Sequence, residues 1–354
     1  MGWRSETVFG DTNAAPVTCR LAARLAAVGS SVRAEFESPL GHRGYRLLAA
    51  DLARATGPGS LAEVPGSRHP LTFSGASAVQ VPPGGRVLSD PVRLSAHPGD
   101  LITVTFTAGA GDVSVKAAWT EPYSCAQGVV PLAAPASAFT LARSQAYLRT
   151  VLVDGPAQRS IVALGDSLTE NSQSEPTASY LRWTDELVAH GVNVVNAGVS
   201  GGELTQLGYY GAFTGMQRLR QVLVEPGITD VVLEVGTNDL ADHVPAGTLL
   251  AAYREAAALV RSYGARMWIT TIPPRGDIRW SGAYEVQRKR LNSLFRNGFL
   301  SQIDAHPIDL DAVVRDPLRA GVLNPVYDVG DHLHLSPAGE KVFASAVASA
   351  LGLQ

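Results

Sequence analysis

The chain has 354 residues, of which 45% are hydrophobic and 17% charged, with a formal net charge of −3 and a pI of about 6.2. A balance this close to neutral provides no basic field to hold nucleic acid or an anionic membrane surface, so neither is expected as a partner. No stretch approaches the roughly 18 apolar residues of a membrane-spanning helix, and the length suggests two domains.

The first residues, Met1-Gly-Trp-Arg-Ser-Glu6, lack a charged leader followed by an apolar core. Glu6 also stands where an N-myristoylation signal wants Ser or Thr. The expectation is an intracellular chain, or a secreted one whose leader has been removed. Cys19 and Cys125 are too few for a disulfide framework and could pair or stay as thiols. The sequence leaves oligomeric state open.

Residues 1–155 read as β-rich. Ser31–Ser38 alternates Val32, Ala34 and Phe36 with polar neighbours, as a half-buried strand does. Short strands are expected at Leu71–Phe73, Ala78–Val81, Val87–Leu94, Leu101–Phe106 and Val113–Trp119. They are punctuated by turn clusters such as Pro82-Pro-Gly-Gly85 and His97-Pro-Gly-Asp100. Tyr45–Ala55 fits either a strand or a helix. Strands at this spacing predict a β-sandwich or jelly roll, here read as an accessory domain.

From about Gln158 the period changes. Apolar strands at Ile161–Leu164, Val192–Val195, Val231–Val235 and Met267–Thr271 alternate with helical stretches. The helices read at about Tyr180–His190, Gly215–Leu223, Thr248–Ser262, Ala283–Asn297 and Pro337–Leu351. Such alternation predicts a parallel sheet covered on both faces, a flavodoxin-like three-layer α/β/α domain over residues 156–354.

Four blocks follow the strands or open the last helix. Ile161–Leu164 leads into Gly165-Asp-Ser-Leu168, and Val192–Val195 into Asn196-Ala-Gly-Val-Ser-Gly201. Val231–Val235 leads into Gly236-Thr-Asn-Asp239, and Gly330-Asp-His-Leu-His334 precedes the last helix. In type, order and context this set resembles the SGNH/GDSL hydrolase superfamily, over roughly residues 158–352. The N-terminal half is similar to the xylanase-E-like branch, through Ser31–Ser38, Leu71-Thr-Phe-Ser-Gly75 and Ser89-Asp-Pro-Val92. One departure is Thr169-Glu-Asn-Ser172, where the branch has Thr-Asp/Glu-Gly.

The chemistry of the blocks agrees with the resemblance. A serine just past a strand end of a parallel sheet sits where such folds place their reactions, so Ser167 is the candidate nucleophile. Asp331 and His334, three residues apart, can share one side of a turn, with the carboxylate holding one imidazole nitrogen and the other facing the serine. An oxyanion needs fixed donors: the resemblance implies the Asn238 side chain and the Gly201 amide, completed by the Ser167 amide. The adjacent Gly201-Gly202 leaves the register of that block open. Local alternatives exist for each: a helix cap at Asp166 or Ser167, a turn at Asn238-Asp239, and a plain loop at the glycines.

Asp166 reads as a turn-stiffening acceptor, Asp239 as a helix-start cap, Gly198 as a turn glycine and Trp183 as core. His332 and His334 would share one face of a strand and, with Asp331, suggest a metal site, but no further ligands cluster there. His243 is the other loop histidine near a block. Residues 172–179 and Tyr209-Tyr210 are expected to border the acyl pocket. The reading is a cofactor-independent serine esterase with catalytic Ser167, Asp331 and His334. The resemblance implies short-chain acyl esters, acetyl first, on a carbohydrate or small glycoside. An acyltransferase using the same triad, or a catalytically silent binding module, are the alternatives.

Overall fold

A computed structural model describes residues 1–4, 7–38, 43–116, 122–142, 145–156, 158–170, 180–208 and 213–353, with 3, 7–12, 112–116, 142 and 145–146 described by their backbone alone. The described residues divide into two compact units, one of those up to 156 together with Tyr180, and one of those from Gln158 onward without Tyr180.

The N-terminal unit is antiparallel throughout. One sheet runs in the order Leu141–Ala142, Tyr123–Gln127, Val17–Arg24, Leu101–Ala108, Tyr45–Arg54 and His69–Pro70, with Val79–Val81 also on Tyr45–Arg54. A second runs Trp3–Arg4, Leu148–Asp154, Gly29–Glu37 and Arg86–Leu88, with Val92–Ala96 also on Gly29–Glu37. Alternate side chains of both sheets meet in one core, among them Cys19, Leu21, Val104 and Phe106 from the first and Val32, Ala34 and Phe36 from the second. Phe36 and Phe106 meet edge to face at 5.3 Å. The unit is the β-sandwich that the turn spacing predicts. Cys19 and Cys125 lie opposite each other on neighbouring strands and are disulfide-bonded.

One open reading is resolved and two local expectations change. Tyr45–Arg54 is a strand, because the apolar residues Leu47 and Leu52 are used in pairing with Leu101–Ala108 and in the core rather than along a helix face. The single strand expected at Val87–Leu94 is two, Arg86–Leu88 and Val92–Ala96. Between them Pro91 offers no N–H, and the Asp90 carboxylate accepts from Thr72 Oγ1 (2.6 Å) and the Gly75 N–H (2.8 Å). Leu71–Phe73 is not a strand: pairing there ends at Pro70, and Phe73 turns back on Ala76.

The C-terminal unit holds five parallel strands: β1 (Ile161–Gly165), β2 (Val194–Gly198), β3 (Asp230–Glu234), β4 (Arg266–Thr270) and β5 (Ala305–Ile308). Their spatial order is 2-1-3-4-5, the flavodoxin-like arrangement. The principal helices are α1 (Ser167–Glu170), α2 (Trp183–Ala189), α3 (Gly215–Leu223), α4 (Thr237–Ala241), α5 (Ala246–Ser262), α6 (Gly282–Leu294), α7 (Leu310–Val314) and α8 (Pro337–Leu351). Strand β2 starts two residues later than its valine run suggests and continues into the asparagine block. Its partners are fixed by β1, with Ile161 opposite Val194 and Gly165 opposite Gly198. Strand β5 is four residues containing Pro307, too short to read from sequence and placed at the sheet edge, where a missing donor is tolerated. Trp183 is buried, stacked on Phe343 at 4.6 Å.

The end of the sheet away from the four blocks is held by one buried carboxylate. Asp230 accepts from Arg159 Nε (2.9 Å), Arg266 Nη2 (3.0 Å), Trp268 Nε1 (2.8 Å) and Thr229 Oγ1 (2.8 Å). Burial alone would raise its pKa, but these donors outweigh it and hold the carboxyl at about 2 against an ordinary 3.8. A depressed native value means stability that is complete above the unfolded pKa and lost as pH falls through about 2. The contribution is about 2 kcal/mol. Asp230→Asn should therefore lower stability at neutral pH and flatten its dependence between about pH 4 and 2, read from urea unfolding across that range.

Candidate active site

The register of the sheet gathers the blocks. Gly165, the last residue of β1, lies between Gly198 of β2 and Glu234 of β3. Residues 166–170, 199–205 and 235–239 therefore leave the same carboxyl edge, on either side of the point where strand order reverses. Ligands of open α/β sheets bind at such a point. Two close contacts need small residues there. A Cβ on Gly165 would lie 2.1 Å from Thr169 Oγ1, and one on Gly198 would lie 2.4 Å from the Glu170 N–H nitrogen. Gly198 thus serves close packing of β2 on α1, not the turn its sequence context suggests.

Ser167 opens the short helix α1, and the Asp166 carboxylate accepts the Leu168 N–H at 3.0 Å. The turn-stiffening role expected of Asp166 and a reactive position for Ser167 are thus compatible. Ser167 Oγ lies 2.9 Å from His334 Nε2, and His334 Nδ1 lies 2.5 Å from Asp331 Oδ2. The other Asp331 oxygen accepts the Leu333 N–H (3.0 Å) and the His334 N–H (2.8 Å), which folds the four-residue segment back on itself. Burial pushes the Asp331 carboxyl upward, but the bonds from the His334 ring and backbone outweigh it and hold it below the usual range. It therefore stays ionised through mild acid.

Of the two glycines, Gly202 donates its N–H to Val199 O at 2.9 Å, closing a turn whose third residue, Gly201, has φ +67°. Among the described residues the Gly201 and Ser167 amides meet no backbone acceptor. Asn238 Nδ2 donates to Gly202 O at 3.2 Å and faces Asp166 Oδ2 at 3.4 Å. The turn thus uses the Gly202 amide and not the Gly201 amide. The five residues expected at the site lie at the starts of α1 (Ser167) and α4 (Asn238) and on the loops that carry Gly201, Asp331 and His334.

The ground beneath the site is rich in buried ionisable groups, which the sequence does not advertise. Burial raises Asp166 to about 7 and pushes Glu234 well above its ordinary range. Arg218, fully buried, donates to Ala197 O (2.9 Å) and Gly165 O (3.1 Å), tying the ends of β2 and β1 together. Arg275 supplies a second buried cation on the other side, donating to Asn238 Oδ1 at 3.2 Å. No motif marks either arginine, since their bonds reach across 21 to 53 positions of sequence.

Two expected roles are corrected. Asp239 does not cap its own helix. Its carboxylate accepts the Leu204 N–H (2.9 Å), the Thr205 N–H (3.0 Å) and Thr205 Oγ1 (2.8 Å), fastening the glycine loop to the asparagine block. His332 does not share a strand face with His334. It adopts a left-handed φ of +64°, and its exposed ring pairs with Asp328 at 2.8 Å. His243, also left-handed, bonds the Tyr284 hydroxyl at 2.7 Å. Residues 172–179 and Tyr209-Tyr210, expected to border the acyl pocket, lie outside the described residues.

Comparison with known proteins adds the family. A search of curated proteins finds no match. Among solved structures, the chain is similar to Est24, a carbohydrate acetylesterase from Sinorhizobium meliloti, at 19% identity and a TM-score of 0.45, over 55% of this chain and 99% of that one. A member of the lipolytic protein G-D-S-L family from Veillonella parvula is similar at 17% identity and a TM-score of 0.45, over 56% of this chain and 100% of that one. The model of the GDSL-like lipase/acylhydrolase family matches residues 163–342, just over half of the chain and all four blocks. The chain belongs to the GDSL-like lipase/acylhydrolase family, and is a serine hydrolase of that family.

Proposed function

We propose that this protein is an esterase that removes short acyl groups, acetyl first, from a carbohydrate or small glycoside through an acyl-enzyme on Ser167. The observation that carries the mechanism is the unbroken line from Ser167 Oγ through the His334 imidazole to the Asp331 carboxylate. The acyl length and the sugar rest on the resemblance to the xylanase-E-like branch.

In this reading Ser167 Oγ attacks the ester carbonyl as its proton passes to His334 Nε2. Asp331 keeps the other imidazole nitrogen protonated and the ring in place. The carbonyl oxygen becomes an oxyanion among three donors: the Ser167 and Gly201 amides and the Asn238 side chain. Collapse breaks the carbon–oxygen bond to the alcohol, which takes the proton from His334 and leaves. Water then repeats the two steps and releases the acid.

The test is hydrolysis of p-nitrophenyl esters from acetate to decanoate, followed by acetylated sugars. Turnover that falls with chain length supports a small-acyl esterase, and a maximum at long chains overturns it. Products formed only when an alcohol or amine is added would move the assignment to acyl transfer. Asn238→Ala should cost about 10²-fold in kcat, the usual loss of one oxyanion donor. A change confined to KM would remove that residue from the role.

A further inference from the structure

Oxyanion donation by a side-chain amide depends on which way the amide is turned, because oxygen and NH₂ occupy equivalent places in the group. In this protein a residue outside the four blocks bears on that choice from the oxygen side, as Gly202 O does from the NH₂ side. Arg275 is buried, 3% exposed, and its Nη1 lies 3.2 Å from Asn238 Oδ1. A guanidinium can only donate, so the atom facing it must be the amide oxygen. The NH₂ then turns toward the acceptors Gly202 O at 3.2 Å and Asp166 Oδ2 at 3.4 Å. The second of these is long for a hydrogen bond, which leaves that hydrogen available to a developing oxyanion.

Arg275 is itself fixed. Asp277 binds it through both oxygens, Nε to Oδ1 at 2.6 Å and Nη2 to Oδ2 at 3.0 Å. The guanidinium also lies 5.5 Å from the centre of the Trp280 ring. Only Nη1 is directed at the α4 start, where it also reaches Thr237 O at 3.4 Å. A bidentate carboxylate partner and an aromatic ring suit the planar fork of arginine and not a lysine ammonium.

We infer that Arg275, held by Asp277, is a positioning residue for the oxyanion hole: it turns the Asn238 amide so that its NH₂ faces the reacting carbonyl. This rests on the esterase reading above. Arg275 touches no reacting atom, so it acts only through Asn238.

A double-mutant cycle on p-nitrophenyl acetate hydrolysis tests it. Arg275→Met should lower kcat by about 10- to 100-fold, close to the Asn238→Ala loss, with little change in KM. In the Asn238→Ala background the same substitution should cost less than about 3-fold, because the group it orients is gone. Arg275→Lys should lose less than Arg275→Met, and takes its place in the cycle if the methionine variant does not fold. Fluorophosphonate labelling of Ser167 checks that the triad survives in each variant. Equal losses in both backgrounds, or an effect on KM alone, would overturn the role of Arg275. If Asn238→Ala costs kcat and Arg275→Met does not, Arg275 falls while the oxyanion reading stands. If Asn238→Ala costs nothing, the oxyanion reading falls first and Arg275 with it.

Discussion

Ser167→Ala should reduce ester hydrolysis to background, a loss of about 10⁴- to 10⁶-fold in kcat. Alanine has no oxygen to attack the carbonyl, and the remaining donors can only assist direct attack by water. The fold should be unaffected. Ser167 is 8% exposed at the head of a four-residue helix whose first turn is held by the Asp166 carboxylate and not by the Ser167 hydroxyl. The variant should keep its far-UV circular dichroism and thermal midpoint while losing fluorophosphonate labelling. Turnover unchanged in the alanine variant would remove the acyl-enzyme mechanism altogether. Labelling of the wild type without turnover of simple esters would instead keep the nucleophile and require a more specialised substrate or acceptor.

His334→Ala is expected to be nearly as damaging, about 10⁴-fold or more, since Ser167 then has no base and the leaving alcohol no acid. Asp331→Asn should be milder by roughly an order of magnitude or more. The reason is local. Asp331 acts twice, through Oδ2 on the imidazole and through Oδ1 on two backbone N–H groups. An asparagine can keep its carbonyl oxygen on one of these tasks. The main chain offers further support: the Gly276 N–H donates to His332 O at 2.8 Å, and the Ser336 N–H to Tyr327 O at 2.8 Å. Kinetics of both variants on p-nitrophenyl acetate decide the matter. Equal losses would show that the carboxylate charge, and not orientation by the loop, carries the triad.

Some of this protein is local in its sequence. The Asp331-His334 pair is set by a turn of four residues, and the Asp166 cap by a spacing of two, so both can be read from neighbours along the chain. The alternation of apolar strands with helices implies the parallel sheet, since a strand buried on both faces has to be apolar throughout. The carboxyl ends of such strands are where the blocks then fall. The sandwich follows in the same way from short alternating strands between turn clusters. Where pairing is non-local, as for Tyr45–Arg54 or the brief β5, the same residues fit more than one local form.

What only the tertiary structure decided are the partners of the polar residues that support the site. Arg275 meets Asn238, Asp239 meets Leu204 and Thr205, and Arg218 meets Gly165 across 37, 34–35 and 53 positions of sequence respectively. Which of the Gly201 and Gly202 amides the turn consumes is likewise visible only in the folded loop. Composition says that such groups exist, but not with which group each is buried. A buried charge or amide is tolerated wherever the fold brings it a partner. The four blocks are therefore legible as chemistry in the sequence, while the buried hydrogen bonds that hold them in place become visible only once β1, β2 and β3 lie side by side.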